Sequence, residues 1–238
     1  MVHGAGSARW GFDLVRPHLE DRFTVWTVDR RGRGESGDGD GYALEREVDD
    51  VAAVVREAGP GALLFGHSYG ALLSAGAAGL LDGLPGLVLY EAPMGGVLVD
   101  DAWIDRYEQR VEAGDRDRAV ADFLRDVAGY SDEEIDAMRR TPAWEARVEI
   151  APTVPRELRA ERAFETEWLR LRELRPPCLL LVGSSSPEWA RRSTAAFAEA
   201  IPTCEVHELE GQGHGAAVSA PELLASEIVG FAGGCPDD

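Results

Sequence analysis

The chain contains no lysine, so all 24 of its basic residues are arginine, against 43 aspartate and glutamate residues. The resulting net charge of −19 repels phosphate backbones and argues against a nucleic-acid partner. A solvated acidic surface explains most of this charge, and steering of a cationic substrate is the alternative interpretation. We therefore expect a small-molecule ligand and no nucleic-acid partner.

Cysteine and long apolar segments are also scarce. Cys178, Cys204 and Cys235 are scattered and lack C-x-x-C spacing, so the sequence indicates neither a disulfide framework nor a zinc site. No segment approaches the roughly 20 consecutive apolar residues that a transmembrane helix needs. The beginning of the chain also lacks a signal-peptide pattern. We expect a cytoplasmic protein with no membrane partner.

Short apolar runs alternate with helical patterns along most of the chain, which is typical of a parallel sheet covered by helices. The predicted fold class is therefore α/β. The predicted strands cover residues 23–29, 62–65, 87–90, 178–182 and 205–209, and the predicted helices cover 43–58, 69–81, 188–201 and 221–231.

Residues 94–175 interrupt this alternation with a charged segment of helical pattern. An insertion after a sheet strand is a natural position for a lid over a pocket. A helical bundle without a role in binding is the alternative. We divide the chain into a first core part (1–93), the helical insertion (94–175) and a second core part (176–238). The insertion is rich in aromatic residues, namely Trp103, Phe123, Trp144, Phe164 and Trp168.

Residues 66–70 read Gly-His-Ser-Tyr-Gly, which matches the G-x-S-x-G pattern between a predicted strand and a predicted helix. A serine at such a sharp turn has unusual backbone angles, and the flanking glycines remove side chains that would collide there. The turn presents the hydroxyl to a pocket in front of a helix N-terminus. Ser68 is therefore the predicted nucleophile, with a tight packing turn as the alternative.

A serine hydroxyl needs a base, and an imidazole titrates in the right pH range. His214, in the loop after the last predicted strand, has the position in chain order that such a base requires. His207 is better explained as a strand residue, and we expect His67 to point away from the pocket. His3 and His18 are the remaining candidates.

Acyl transfer produces an oxyanion, which two preorganised backbone N–H groups can stabilise. The amide of Tyr69, directly after Ser68, is one candidate. The glycine-flanked Ala5 in His-Gly-Ala-Gly (residues 3–6) is the other, unless this segment is a plain turn. Trp10 is a candidate for substrate binding, with core packing as an equal alternative, and the Tyr69 side chain is a further candidate for lining the pocket.

The ordered set HGAG (3–6), DRRGRGESGD (29–38), GHSYG (66–70), LYEAP (89–93) and GQGH (211–214) resembles the α/β-hydrolase superfamily, in particular its haloperoxidase- and esterase-like serine branch. The resemblance implies an eight-stranded, mostly parallel sheet, a catalytic triad and a lid. It implies no metal and no organic cofactor.

The triad acid departs from that pattern, because relatives carry it near Ser185 and this chain has no carboxylate there. The acid fixes the imidazole tautomer and stabilises the imidazolium. Three replacements are open. They are Glu91 after the preceding strand, Glu188 three residues further on, or a weaker dyad in which water or Ser185 orients His214.

The start of the chain departs as well. The resemblance calls for two strands and most of a third before His3, so we expect N-terminal strands to be missing. The strands at 23–29 and 62–65 should then be separated by a gap or pair directly.

The expected activity is that of a serine hydrolase of a small carboxylic ester, lactone or thioester. Two alternatives remain. One is a lyase or cyclase on the same fold, with Ser68 and His214 as acid and base, and the other is a non-catalytic member.

Overall fold

Four short strands lie side by side in one parallel sheet, in the same order as in the chain. The computed structural model describes residues 1–94, 98–164 and 170–234. The strands are β1 (Leu64–His67), β2 (Leu87–Tyr90), β3 (Cys178–Gly183) and β4 (Cys204–Leu209). β1 begins and ends two residues later than predicted, whereas β2 agrees with the prediction at both ends.

The described residues contain ten α-helices, five in the core and five in the insertion. Those of the core are α1 (Leu44–Ala58), α2 (Tyr69–Ala78), α8 (Glu188–Ala200), α9 (Ala216–Ser219) and α10 (Pro221–Ala232). Those of the insertion are α3 (Asp101–Glu112), α4 (Arg116–Asp126), α5 (Asp132–Arg139), α6 (Pro142–Ile150) and α7 (Val154–Ala163). None of them has the length and apolar character needed to cross a bilayer.

Alternate side chains of the strands supply two hydrophobic layers, because successive residues of a strand point to opposite faces. Leu87 and Leu89 face the layer that holds α1, α2 and α8. Val88 and Tyr90 face the opposite layer, which holds α10 and the turn around Phe12. All ten residues of α2 are buried, so the helix that follows Ser68 is held on every side.

The segment 23–29 does not form the predicted strand. Within it only Val28 makes a β-bridge, and its partner is Val2. Val2 also bridges to Gly66, with its amide donating to the Phe65 carbonyl at 2.9 Å. The expected gap or direct pairing is therefore wrong, because residues at the start of the chain lie between the two segments. Val2 is the residue of this segment that pairs, and a single bridging residue cannot support a regular strand at 23–29.

The described residues contain the four strands and these isolated bridges, fewer than the eight strands that the resemblance implies for the complete sheet. The parallel α/β architecture flanked by helices is confirmed. The sheet keeps the strands that carry the Ser68 turn and the loops around Glu91 and His214.

The helices α3–α7 enclose a hydrophobic cluster of their own, which includes Ile104, Leu124, Trp144 and Leu158. Phe164 packs instead against the core layer beside α1 and α2. Trp168 and Cys235 lie outside the described residues. The insertion is thus a packed helical unit that follows β2 and precedes β3.

A buried cluster of charges joins this insertion to the core. Glu157 on α7 accepts hydrogen bonds from Arg30 at 2.6 Å and from Arg33 at 2.7 Å. Arg30 also contacts Glu47 on α1 at 2.8 Å through two nitrogens. Two positive and two negative side chains therefore balance each other in the interior, as buried charges require.

Candidate active site

Ser68 lies at the turn between β1 and α2, with φ 55° and ψ −127°. Such a conformation is strained for a residue with a side chain, at a cost of order 1–3 kcal/mol, and persists only where the surroundings enforce it. Here the Ser68 amide donates to the Tyr90 carbonyl at 2.8 Å, and the Ser68 carbonyl accepts from Ala71 at 2.8 Å. The sharp turn that the motif predicts is present.

Two glycines allow this turn to pack. A Cβ on Gly66 would lie 2.5 Å from the Gly70 carbonyl oxygen and 2.5 Å from Ser74 Oγ. A Cβ on Gly70 would overlap the carbonyl oxygens of Val2 and His3. The segment that contains Ala5 therefore lies directly on the first turn of α2.

Nδ1 of His214 donates a hydrogen bond to Oε2 of Glu91. Glu91 follows β2 directly, with φ 51°, and is 1% exposed. Its other oxygen, Oε1, accepts from the Gly183 amide at 2.8 Å and from the Ser186 hydroxyl. A buried carboxylate with three donors is well stabilised and can hold the imidazole in one orientation.

The other candidates for the acid position are not brought to the imidazole. Ser185 is exposed, and its amide donates to the Gln212 carbonyl at 2.8 Å. Glu188 is exposed at the start of α8, 3.9 Å from Arg192. The neighbouring Ser186 is the loop residue that contacts Glu91. Its side chain is buried, whereas that of Ser185 is exposed.

Aromatic side chains hold the His214 loop. The hydroxyl of Tyr90 donates to the Gly213 carbonyl. Nε2 of His67 donates to the His214 carbonyl at 2.9 Å, and the His67 ring stacks on Tyr90 at 4.8 Å. Trp189 meets the His214 ring edge-on at 5.1 Å. These contacts restrict where the imidazole can lie.

Ser68 and His214 line one small cavity of about 60 Å³. The lining also includes Ala5, and apolar side chains from the insertion cover it, namely Leu98, Phe123, Leu124, Val127 and Ala128. His67 is also among the lining residues, while its ring bonds to the His214 carbonyl and stacks on Tyr90. The Ser68 hydroxyl and the His214 ring do not hydrogen-bond to each other here, and such bonds are often long before substrate binds.

The amides of Ala5 and Tyr69 make no hydrogen bond within the described residues. The Ala5 segment is nevertheless held firmly, because Arg30 donates to the carbonyl oxygens of His3 at 3.3 Å and Gly4 at 3.1 Å. The Arg30 amide also donates to Nε2 of His3 at 3.2 Å. Two free N–H groups therefore lie on fixed backbone beside Ser68.

Burial shifts the pKa of several groups around the site. Loss of hydration lowers the pKa of His3 and of His67 well below 6.5. The positive charge of Arg30 further lowers the pKa of His3, and the neighbouring His214 further lowers the pKa of His67. Burial raises the pKa of the Tyr90 hydroxyl. The rings of His3 and His67 are therefore neutral near pH 7.

Two predicted pocket side chains lie elsewhere. Trp10 does not line the cavity of Ser68, and its ring lies under the Arg147 guanidinium at 4.6 Å. The Tyr69 ring is fully buried against Arg30, and its hydroxyl is 2.8 Å from that of Tyr42. Tyr69 begins α2 directly after the Ser68 turn, so its side chain packs in the core while its amide lies next to Ser68.

Sequence reasoning missed Ser186, Tyr90 and Arg147. Ser186 lies one residue after Ser185, and Tyr90 lies one residue before Glu91. Their closeness in sequence to these two candidates was the signal that could have identified them. Arg147 lies in the insertion, 79 positions after Ser68, without any local motif. Within the described residues, no group of three or more His, Cys, Asp or Glu side chains is arranged to hold a metal ion.

Comparison with known proteins agrees with this architecture. A 2-(acetamidomethylene)succinate hydrolase of Mesorhizobium japonicum is 28% identical over 243 residues, which cover 97% of this chain and 86% of the relative. The crystal structure of an alpha/beta hydrolase from Sphaerobacter thermophilus is 33% identical, with a TM-score of 0.80 and coverage of 97% of this chain and 90% of the other.

An esterase from Exiguobacterium antarcticum superposes with a TM-score of 0.81 at 18% identity, over 98% of this chain and 90% of the other, and shows likeness of fold alone. The sequence profile of the alpha/beta hydrolase family matches residues 1–227, nearly the whole chain. The shared fold, the Ser68 turn and the match along the sequence lead to one conclusion: the chain belongs to the alpha/beta hydrolase family.

Proposed function

We propose that this chain is a serine hydrolase that cleaves a small carboxylic ester, lactone or thioester through an acyl-enzyme. The observation that carries the proposal is the arrangement of Ser68, His214 and Glu91. The strained Ser68 turn and His214 line one small cavity, and Nδ1 of His214 bonds to the buried carboxylate of Glu91. This combination supplies a nucleophile, a base and a group that orients the base.

In the proposed reaction, Ser68 Oγ attacks the carbonyl carbon while Nε2 of His214 takes its proton. The tetrahedral oxyanion accepts hydrogen bonds from the Ala5 and Tyr69 amides. The protonated imidazole, stabilised by Glu91, then gives its proton to the leaving alcohol or thiol. Water attacks the acyl-enzyme with His214 as base, the carboxylic acid leaves, and Ser68 is restored.

The helical insertion acts in this proposal as the lid. Phe123 on α4 lies against the Ala5 segment, since a Cβ on Gly6 would be 2.9 Å from its ring. Apolar side chains over the cavity exclude water and strengthen the electrostatic contacts inside it. The Mesorhizobium japonicum relative is a 2-(acetamidomethylene)succinate hydrolase, which supports hydrolysis as the reaction type for this chain. The charge of −19 supports a small molecule, and not a nucleic acid, as the partner.

A fluorophosphonate probe tests the nucleophile. The wild-type protein and Ser185→Ala, a matched variant at an exposed serine, should become labelled with one adduct in intact-protein mass spectrometry. Ser68→Ala, with an unchanged circular dichroism spectrum, should not. Labelling of Ser68→Ala, or no labelling of the folded wild type, would contradict the proposal.

Turnover of p-nitrophenyl esters of increasing acyl length completes the test. With esters whose deacylation is slower than acylation, a burst of p-nitrophenol close to the enzyme concentration is the expected signature of an acyl-enzyme. A lyase, a cyclase or a non-catalytic member would give no burst with any of these esters.

A further inference from the structure

The cavity that contains Ser68 has an unusual charge for this protein. Its described lining includes no aspartate or glutamate, although the chain has 43 of them. The arginine or lysine side chain among its lining residues is that of Arg147, from helix α6 of the insertion. In a chain with a net charge of −19, this pocket is positive.

Arg147 has no acidic partner among the described residues. Its Nη1 donates to the Gly6 carbonyl at 2.9 Å, and its guanidinium lies 4.6 Å from the centre of the Trp10 ring. A guanidinium has five N–H donors in a planar fork that matches a carboxylate. The Gly6 and Trp10 contacts hold this fork in place and leave donors for a ligand.

Other arginines of this protein that are buried or lie over a tryptophan ring form ion pairs with carboxylates. Arg30 and Arg33 share Glu157 in the buried charge cluster. Arg139, which also lies over a tryptophan ring, is paired with Asp117 and Asp136. Arg147 therefore differs from these arginines, because no carboxylate of the described residues pairs with it.

Arg147 is part-buried, and desolvation lowers its pKa, while the Tyr130 hydroxyl raises it and no carboxylate contributes. The group still carries its charge, because an arginine in a protein is not deprotonated near pH 7. Its charge reaches into the site, since it contributes to the lowered pKa of His67. A ligand carboxylate would supply the compensation that the protein itself does not.

We propose that Arg147 binds a carboxylate of the substrate, so that the enzyme prefers an ester that carries a negative charge. This inference rests on the proposed hydrolase function and adds the substrate class to it. The cavity of about 60 Å³ favours a short acyl group, such as the half-ester of a small dicarboxylic acid.

Matched anionic and neutral esters test this specificity. The pair p-nitrophenyl hemisuccinate and p-nitrophenyl butyrate has similar acyl length and differs in the carboxylate. The butyrate ester of 4-hydroxybenzoate, against phenyl butyrate, moves the charge to the alcohol side. Wild type should prefer the anionic member of at least one pair. In Arg147→Gln the KM for that member should rise about 10- to 100-fold, as expected for loss of a charge-assisted hydrogen bond, with little change for the neutral member.

Two further variants separate binding from structure. Arg147→Lys keeps the charge and should retain part of the preference. Arg139→Gln removes the other arginine that lies over a tryptophan and should leave both KM values unchanged. Equal KM values for anionic and neutral esters in the wild type, or a preference that survives in Arg147→Gln, would overturn the inference while leaving the hydrolase proposal intact.

Direct binding gives a readout that does not need turnover. Succinate should bind to Ser68→Ala in isothermal titration calorimetry, and at least 10-fold more weakly to the Ser68→Ala/Arg147→Gln double variant. If no ester reacts and no probe labels the protein, the hydrolase proposal fails, and this titration still decides the role of Arg147. No succinate binding, or equal binding by both variants, would contradict it.

Discussion

The Glu91 carboxylate, at the end of β2, accepts a hydrogen bond from Nδ1 of His214, which lies in the loop after β4. β3 lies between these strands in the sheet, and the Gly183 amide at its end donates to the same carboxylate at 2.8 Å. Three loops from one edge of the sheet therefore meet at one buried side chain. This convergence makes Glu91 the group best placed to orient the imidazole.

Replacement of Glu91 by Gln should lower kcat on an activated p-nitrophenyl ester on the order of 10³- to 10⁴-fold, because an amide neither stabilises the imidazolium nor enforces the same tautomer. The measurement is steady-state turnover together with the rate of fluorophosphonate labelling. Glu188→Gln, at the exposed start of α8, is the matched control and should keep the wild-type rate. A near-wild-type rate for Glu91→Gln would remove Glu91 from the triad.

Ser186→Ala should lower kcat about 10-fold, since the Glu91 carboxylate loses one of its buried donors, and a hydrogen bond to a charged group contributes about 1.5–3 kcal/mol. The KM should change little, because Ser186 does not line the cavity. Ser185→Ala removes the adjacent, exposed hydroxyl and should leave kcat as it was. Equal effects of the two variants on kcat would show that the contact with Glu91 has no role.

Glu157→Gln should reduce the free energy of unfolding by about 3–5 kcal/mol, as expected when one partner of a buried ion pair is removed. The change leaves Arg30 and Arg33 with Glu47 as the remaining carboxylate of the cluster. Urea denaturation measures the loss, with Glu149→Gln, an exposed position on α6, as the control. A loss no larger than that of the control would mean that the cluster does not hold the insertion on the core.

Stability should fall as the pH drops below about 6.5, because His3 and His67 are buried with a pKa well below that value. The unfolded chain takes up these protons near its ordinary pKa while the folded protein does not, so protonation favours unfolding. Each histidine contributes a slope of up to about 1.4 kcal/mol per pH unit.

Urea denaturation between about pH 5 and about pH 7.5 tests this linkage. His67→Gln should flatten the profile by the contribution of one histidine, whereas Ser185→Ala, at an exposed position and without loss of a titratable group, should not. An unchanged slope in His67→Gln would show that His67 is already protonated in the folded protein at the lower pH.

Much of the α/β architecture could be predicted from the sequence, because periodicity and turn signals are local. The boundaries of β2 and the start of α2 agree with the prediction, and both depend on apolar runs that end at clear polar or glycine signals. The segment 23–29 did not follow its local pattern. A strand exists only where another strand pairs with it, and the available partner was a single residue, Val2.

The candidate nucleophile and base could also be identified from single sequence motifs. The pattern around Ser68 and the position of His214 in chain order required no coordinates, since each depends on a few adjacent residues. Glu91 remained one of three alternatives, because a carboxylate at a strand end has the same local sequence whether it contacts an imidazole or a loop amide.

What the amino-acid order determined is most of the elements and the identity of the candidate reactive groups, because helices, strands and tight turns depend largely on neighbouring residues. The folded chain decided which side chains meet: Ser186 rather than Ser185 at Glu91, His67 against Tyr90, and Arg147 from a distant helix in the lining of the Ser68 cavity. Such contacts join residues far apart in sequence, and their geometry depends on packing between layers, which local patterns do not record.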